Sequence, residues 1–232
     1  MVLPAELVDH IFSFLQKDIP ALKACSKALP SYSRLAERYL YAHIELEQEV
    51  GNDILENPQL LVHLRTLEIR FSFSQSHKQM AISIMAIIPR MTNLILLSIS
   101  APNWEEEFVS VFGNILQQPS FQELRLSFIY GLPLSFLDNA KNIKQLTLSN
   151  CTANEKEAFS SLPSSQLSLE TLVLIGDFNR NLHRWAMRWV TRLTTLELHY
   201  LSLRLDWTAF PELLVACSNS LTSLHLVMSN CV

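Results

Sequence analysis

Two hydrophobic periods divide the chain. Leu3 to Gln16 reads LPAELVDHIFSFLQ, and its apolar residues recur at helical spacing. With Leu3 at zero, Phe14, Leu7 and Ile11 fall near ~20°, ~40° and ~80° on the helical wheel. Leu15, Val8 and Phe12 fall near ~120°, ~140° and ~180°. Asp9, Ser13, Glu6 and His10 take the remaining arc. About half the cylinder is apolar, whereas a helix packed on one side needs a stripe of roughly 100°. Such a helix needs a second partner, or it is buried in its own protein. Pro4 marks the first turn, where a proline is tolerated. Pro20 and Pro30 then divide KDIPALKACSKALPSYSRLAERYLYAHIEL into two further short helices.

Beyond this segment the period changes. An apolar-x-x-Leu-x-Leu/Ile unit appears as LRTLEI from Leu64, LILLSI from Leu94, FQELRL from Phe121 and IKQLTL from Ile143. It returns as LETLVL from Leu169, LTTLEL from Leu193 and LTSLHL from Leu221. The gaps between starts are 30, 27, 22, 26, 24 and 28 residues. YAHIEL, from Tyr41, reads as a degenerate earlier copy. Between the units lie segments of helical character: AISIMAIIPRM, EEFVSVFGNILQQ, LSFLDNAK, NLHRWAMRWVTRL and AFPELLVACSN. Strand, helix, parallel strand is the rhythm of a curved α/β solenoid. Four glycines in 232 residues argue against a sandwich of many tight turns.

The spacing and the Leu-x-Leu core resemble the leucine-rich-repeat family, whose units run 20–29 residues. In that family the ninth position is usually Asn or Cys. Here it holds Cys151 once, and otherwise Ser72, Pro102, Ile129, Asp177, Leu201 and Ser229. The expected architecture is therefore α/β, with a degenerate solenoid of about seven repeats over residues 47–232 on a parallel sheet. No polar capping unit is legible after the last motif, although solenoids generally need one. Because strand side chains alternate, the Leu/Ile positions point inward. Glu68, Ser98, Arg125, Thr147, Val173, Glu197 and His225 form one outward column. Arg70, Ser100, Ser127, Ser149, Ile175, His199 and Val227 form the next. Concave solenoid faces bind partners, so Glu68, Arg70, Arg125, Thr147, Glu197, His199 and His225 are the expected target-binding residues.

Residues 1–46 resemble an F-box. The family opens with Leu-Pro-x-Glu-Leu, followed by Ile and Leu at helical spacing, a Leu-rich second helix and a third helix. The matching residues are Leu3, Pro4, Glu6, Leu7, Ile11 and Leu15, then Leu22 and Cys25, then Leu35. The Trp that many members carry near the third helix is missing, and Tyr32 is the nearest aromatic. The resemblance implies a three-helix head binding a Skp-type adaptor through Leu3, Pro4, Leu7, Ile11, Leu15 and Leu22. A cullin complex would join through the adaptor. The chain is then expected to be the substrate-recognition subunit of an SCF-type ubiquitin ligase, cytoplasmic or nuclear. It would be non-catalytic and cofactor-free, with an unknown protein as target. The alternative is a non-degradative repeat scaffold whose N-terminal helices cap the solenoid.

Composition narrows the choice. Apolar residues make up 49% and charged residues 17%, so a large core is expected. The net charge of −4 disfavours backbone-driven nucleic-acid binding. Cys25, Cys151, Cys217 and Cys231 form no CxxC pair, which disfavours a zinc site or a disulfide framework. No basic n-region precedes the first helix, and MAISIMAIIP from Met80 is too short to span a bilayer. With no secretory signal, the sequon Asn150-Cys151-Thr152 reads as chance. Arg180, Arg184, Arg188 and Arg192 form a basic stripe beside Trp185 and Trp189, read as the solvated face of a repeat helix. Trp104-Glu105-Glu106-Glu107 reads as a helix N-terminus, where acids complement the dipole. No HExxH, GxSxG, P-loop or Rossmann pattern is present. Glu197, His199 and His225 stand close enough to mimic a metal site, but no metal is expected.

Overall fold

The computed structural model describes residues 3–46, 58–70, 87–101, 106–154, 169–176, 190–200 and 210–228. Three helices open the chain: α1 (Ala5–Phe14), α2 (Ile19–Ala28) and α3 (Ser33–Leu40). The prolines act as the sequence predicts. Pro20 lies in the first turn of α2, and Pro30 opens a short 3-10 turn before α3. Asp18 accepts a hydrogen bond from the Ala21 amide at 3.0 Å, capping α2.

Eight parallel strands follow: β1 (His43–Leu46), β2 (Thr66–Arg70), β3 (Leu96–Ser100), β4 (Glu123–Ser127), β5 (Gln145–Ser149), β6 (Thr171–Ile175), β7 (Thr195–Tyr200) and β8 (Ser223–Met228). Their order in the sheet is their order in the chain, so the fold is α/β and each turn stacks on the one before. YAHIEL does supply a strand. The sheet therefore starts at His43, inside the 1–46 segment assigned to the head, and has eight strands among the described residues where about seven repeats were expected.

Strand alternation sets the core. Leu67, Leu97, Leu124, Leu146, Leu172 and Leu196 form one fully buried row. Ile69, Ile99, Leu126, Leu148, Leu174 and Leu198 form a second. Helix α4 (Glu106–Ile115) and helix α5 (Phe210–Cys217) lie between strands. They bury Phe108, Phe112, Leu213 and Cys217 against these rows. Phe112 meets Phe136 edge to face, with ring centroids 5.3 Å apart. LSFLDNAK forms a 3-10 helix, Leu134–Asn139, rather than a full α-helix. Val190–Arg192 is likewise a 3-10 turn. On β8 the inward residues Leu224 and Leu226 are exposed, unlike their register partners Leu196 and Leu198.

Hydrogen bonds between turns extend past the strands. At the entry edge, one carbonyl takes two amides of the next turn: Arg65 O accepts from Ile95 N and Leu96 N, and Ile95 O accepts from Gln122 N and Glu123 N. The polar residue just before a repeat adds a side-chain bond to the preceding turn. Asn93 Nδ2 donates to Val62 O at 2.7 Å, Ser120 Oγ to Thr92 O at 2.8 Å and Asn142 Nδ2 to Gln118 O at 3.2 Å.

Candidate functional sites on the head and the strand face

The wheel of α1 is split in two by its neighbours. Val8 and Phe12 are buried and, with Leu22 of α2 and Ala36 of α3, form a small core separate from that of the sheet. Phe12 meets Tyr39 edge to face at 6.4 Å. Tyr39 donates its hydroxyl to Asp9 Oδ1 at 2.7 Å, and Tyr32 donates its own to the Leu3 carbonyl. These contacts fix both the rotation of α1 and its first residues. Burial raises the Tyr39 phenol above its ordinary range, and the Asp9 carboxylate adds to the rise. Arg38 lies 3.9 Å from Asp9, a weak surface pair.

The other arc of α1 is open. Leu3 is 47% exposed, Leu7 51%, Ile11 45% and Phe14 75%. These four residues span the arc from zero to ~80° on the wheel. His10 stacks edge to face on Phe14 at 4.7 Å. Pro4 is exposed beside them. Of the residues expected on this face, one is not on it and one lies at its margin. Leu22 is fully buried in the head's core, because α2 turns its leucine toward Phe12 and Ala36. Leu22 is therefore withdrawn from the contact set. Leu15 is half-buried against the same core. Phe14, the most exposed of the four, was missed as a contact residue, although its place on the wheel beside Leu3 and Leu7 was the available signal. Ile19 and Leu29 add exposed apolar surface on α2 and just after it.

Head and sheet are joined directly. Helix α3 packs on the 3-10 turn Pro58–His63, and the Ala42 carbonyl accepts from Arg65 N and Thr66 N.

On the strand face the register brings together both expected columns. Glu45, Glu68, Ser98, Arg125, Thr147, Val173, Glu197 and His225 are mutual register partners. Arg70, Ser100, Ser127, Ser149, Ile175, His199 and Val227 form the second row. The candidate target-binding residues Glu68, Arg70, Arg125, Thr147, Glu197, His199 and His225 thus share one surface. At about 4.8 Å per strand, eight strands extend it over roughly 34 Å. Its charges are mostly paired internally. Arg70 lies 2.7 Å from Glu45 and 3.9 Å from Glu68, Arg125 lies 2.6 Å from Glu123, and His199 lies 3.0 Å from Glu197. His225 Nε2 lies 2.8 Å from Ser223 Oγ.

The remaining sequence motifs resolve unevenly. Arg180, Arg184, Arg188, Trp185, Trp189 and Trp104 lie outside the described residues. Glu106 opens α4 as expected for an acidic helix start. Cys25, Cys151 and Cys217 are free. Among the described residues no group of three His, Cys, Asp or Glu side chains is arranged to hold a metal ion. Among them too, no helix is long and apolar enough to cross a membrane. No known family model matches the chain, and no curated protein matches it in sequence.

Proposed function

We propose that the chain is an F-box-type substrate receptor, with an adaptor-binding head followed by a leucine-rich-repeat solenoid that holds a protein target. One observation carries the reading. The face of α1 formed by Leu3, Leu7, Ile11 and Phe14 stays exposed while the opposite face closes the head's core. A head that served only to cap the solenoid would cover that arc. Its exposure in a helix pinned by Tyr32 and Tyr39 supports a second protein on that side. The adaptor-contact set becomes Leu3, Pro4, Leu7, Ile11 and Phe14, with Leu15 at its margin.

In this role the chain makes and breaks no bonds. The Skp-type adaptor and cullin complex would bring the transferring enzyme, and the repeats would raise the target's effective concentration beside it. No cofactor is needed for that, and the cytoplasm or nucleus is the expected setting. The test is co-expression with and without a Skp-type adaptor, followed by size-exclusion chromatography. A stable one-to-one complex is expected. A monodisperse lone chain that ignores the adaptor overturns the reading and leaves the scaffold alternative.

A further inference from the structure

The row of residues that directly follows the strands departs most from ordinary backbone geometry. Ala101, Phe128, Asn150 and Gly176 are equivalent, because each donates its amide to a carbonyl at the end of the next turn's strand. The acceptors are Ser127 at 3.1 Å, Ser149 at 2.8 Å, Ile175 at 2.7 Å and His199 at 2.8 Å. Three of the four are left-handed: Phe128 has φ 60°, Asn150 φ 51° and Gly176 φ 105°. Glycine and asparagine adopt this region readily, whereas a bulky side chain is strained there. Ala101 makes the same bond without adopting this conformation, and of the three residues that do adopt it, two suit it. Phe128 does not.

Burial does not compensate the strain. Phe128 is 51% exposed, and Tyr130, two residues on, is 54% exposed. Between and after them Ile129 and Leu132 are fully buried, so the segment alternates ring out, aliphatic in. The segment is also fixed to the next turn. Thr152 N donates to Ile129 O at 2.9 Å, Leu132 N to Thr152 O at 2.9 Å, and Asn154 N to Leu132 O at 3.0 Å. Two aromatic rings are thus held outward on a rigid support, one of them against its backbone preference. Strain retained in this way marks a site whose return lies outside the fold.

We propose that Phe128 and Tyr130 are the anchor of the target site, seating an apolar side chain of a basic, extended protein segment that continues across the strand face. The inference rests on the reading that the strand face binds a protein. Rigid aromatics supply contact area with little entropy left to lose, which is why they dominate binding hot spots. Charge selects the partner. Glu45, Glu68, Glu123 and Glu197 on the strand face stand against Arg70 and Arg125, with His43, His199 and His225 beside them. One guanidinium, that of Arg70, serves both Glu45 and Glu68. The net negative face favours a basic chain, and the Ser98, Ser100, Ser127 and Ser149 hydroxyls offer hydrogen bonds to its backbone.

The test is selection of random-peptide phage against the full chain. The consensus peptide is then titrated by fluorescence anisotropy against the wild type, Phe128→Asn, Tyr130→Ser and Thr147→Arg, and each variant is melted. The expected consensus is a large apolar residue flanked by Lys or Arg. Phe128→Asn should bind it about tenfold more weakly or worse, yet melt at a higher temperature than the wild type because asparagine relieves the strain. Thr147→Arg should also bind weakly, since it places bulk and positive charge on the face. If Phe128→Asn and Tyr130→Ser bind normally while Thr147→Arg does not, the anchor is refuted and the strand-face reading stands. If all three bind normally, both fall. An acidic consensus, no enrichment, or a lower melting temperature for Phe128→Asn also overturns the proposal.

Discussion

Replacing Leu7 and Ile11 together by aspartate separates binding from folding. Both side chains are about half exposed in the free chain, at 51% and 45%. Full burial of a Leu or Ile contributes about 1.5–3 kcal/mol, so docking on a partner would gain roughly half of that from each. The two together account for about 1.5–3 kcal/mol. Each carboxylate would then lie in a dry contact without a partner, adding at least ~1–3 kcal/mol of penalty. The sum predicts adaptor binding weakened by more than about a hundredfold. The fold should lose less than it does with Phe12→Ala, because only the covered half of each side chain is at stake, about 1.5–3 kcal/mol for the two together. Leu7 lies in the first turn of α1, where an acid is favoured by the dipole, which offsets part of that loss. Titration calorimetry with a Skp-type adaptor measures the first quantity, and urea unfolding of the lone chain the second. Binding within a few-fold of the wild type would show that this face is not the interface. A loss of stability as large as that of Phe12→Ala would show that the face is packed inside the protein.

Three further outcomes follow from the packing. Phe12→Ala empties the centre of the head's core, where Phe12 is 1% exposed. It should cost about 3–5 kcal/mol and abolish adaptor binding through unfolding of the head, seen as loss of protection of α1 amides in hydrogen exchange. Gly176→Ala places a Cβ at φ 105°, with Asn150 Oδ1 2.1 Å away, and should destabilise the sheet by about 1–3 kcal/mol. Adding Asn150→Gly removes the clash but not the strained φ, so urea midpoints should show partial recovery; strict additivity would refute the contact. Burial pushes the Cys151 thiol from 9.0 up to about 11, although backbone groups of Ile129 and Ser149 draw it partly back. Its folded value lies above its unfolded one. The stability gained by keeping it neutral is therefore complete below pH 9.0 and lost as pH rises through about 11. Unfolding midpoints of the wild type should fall more steeply across that window than those of Cys151→Ala, and parallel curves would refute it.

Much of the architecture is legible in the residue pattern. A strand has period two, so the Leu-x-Leu units alone determine which residues point inward, and their regular spacing determines that the strands stack in register. Glu68, Ser98, Arg125 and Thr147 fall in one row for this reason. Pro20 and Pro30 divide the head, because proline favours a helix start and opposes its interior. The wheel of α1 is equally readable, but it places residues on an arc without saying which side of the arc meets water. That choice is tertiary. Leu22, Ala36 and Tyr39 take the Val8–Phe12 side, which leaves Leu7 and Phe14 exposed and removes Leu22 from any partner's reach. The sign of φ at Phe128 is likewise absent from the pattern. Ala101 makes the equivalent amide bond to the next turn without a positive φ, so that bond alone does not set it; the path of the chain out of β4 does.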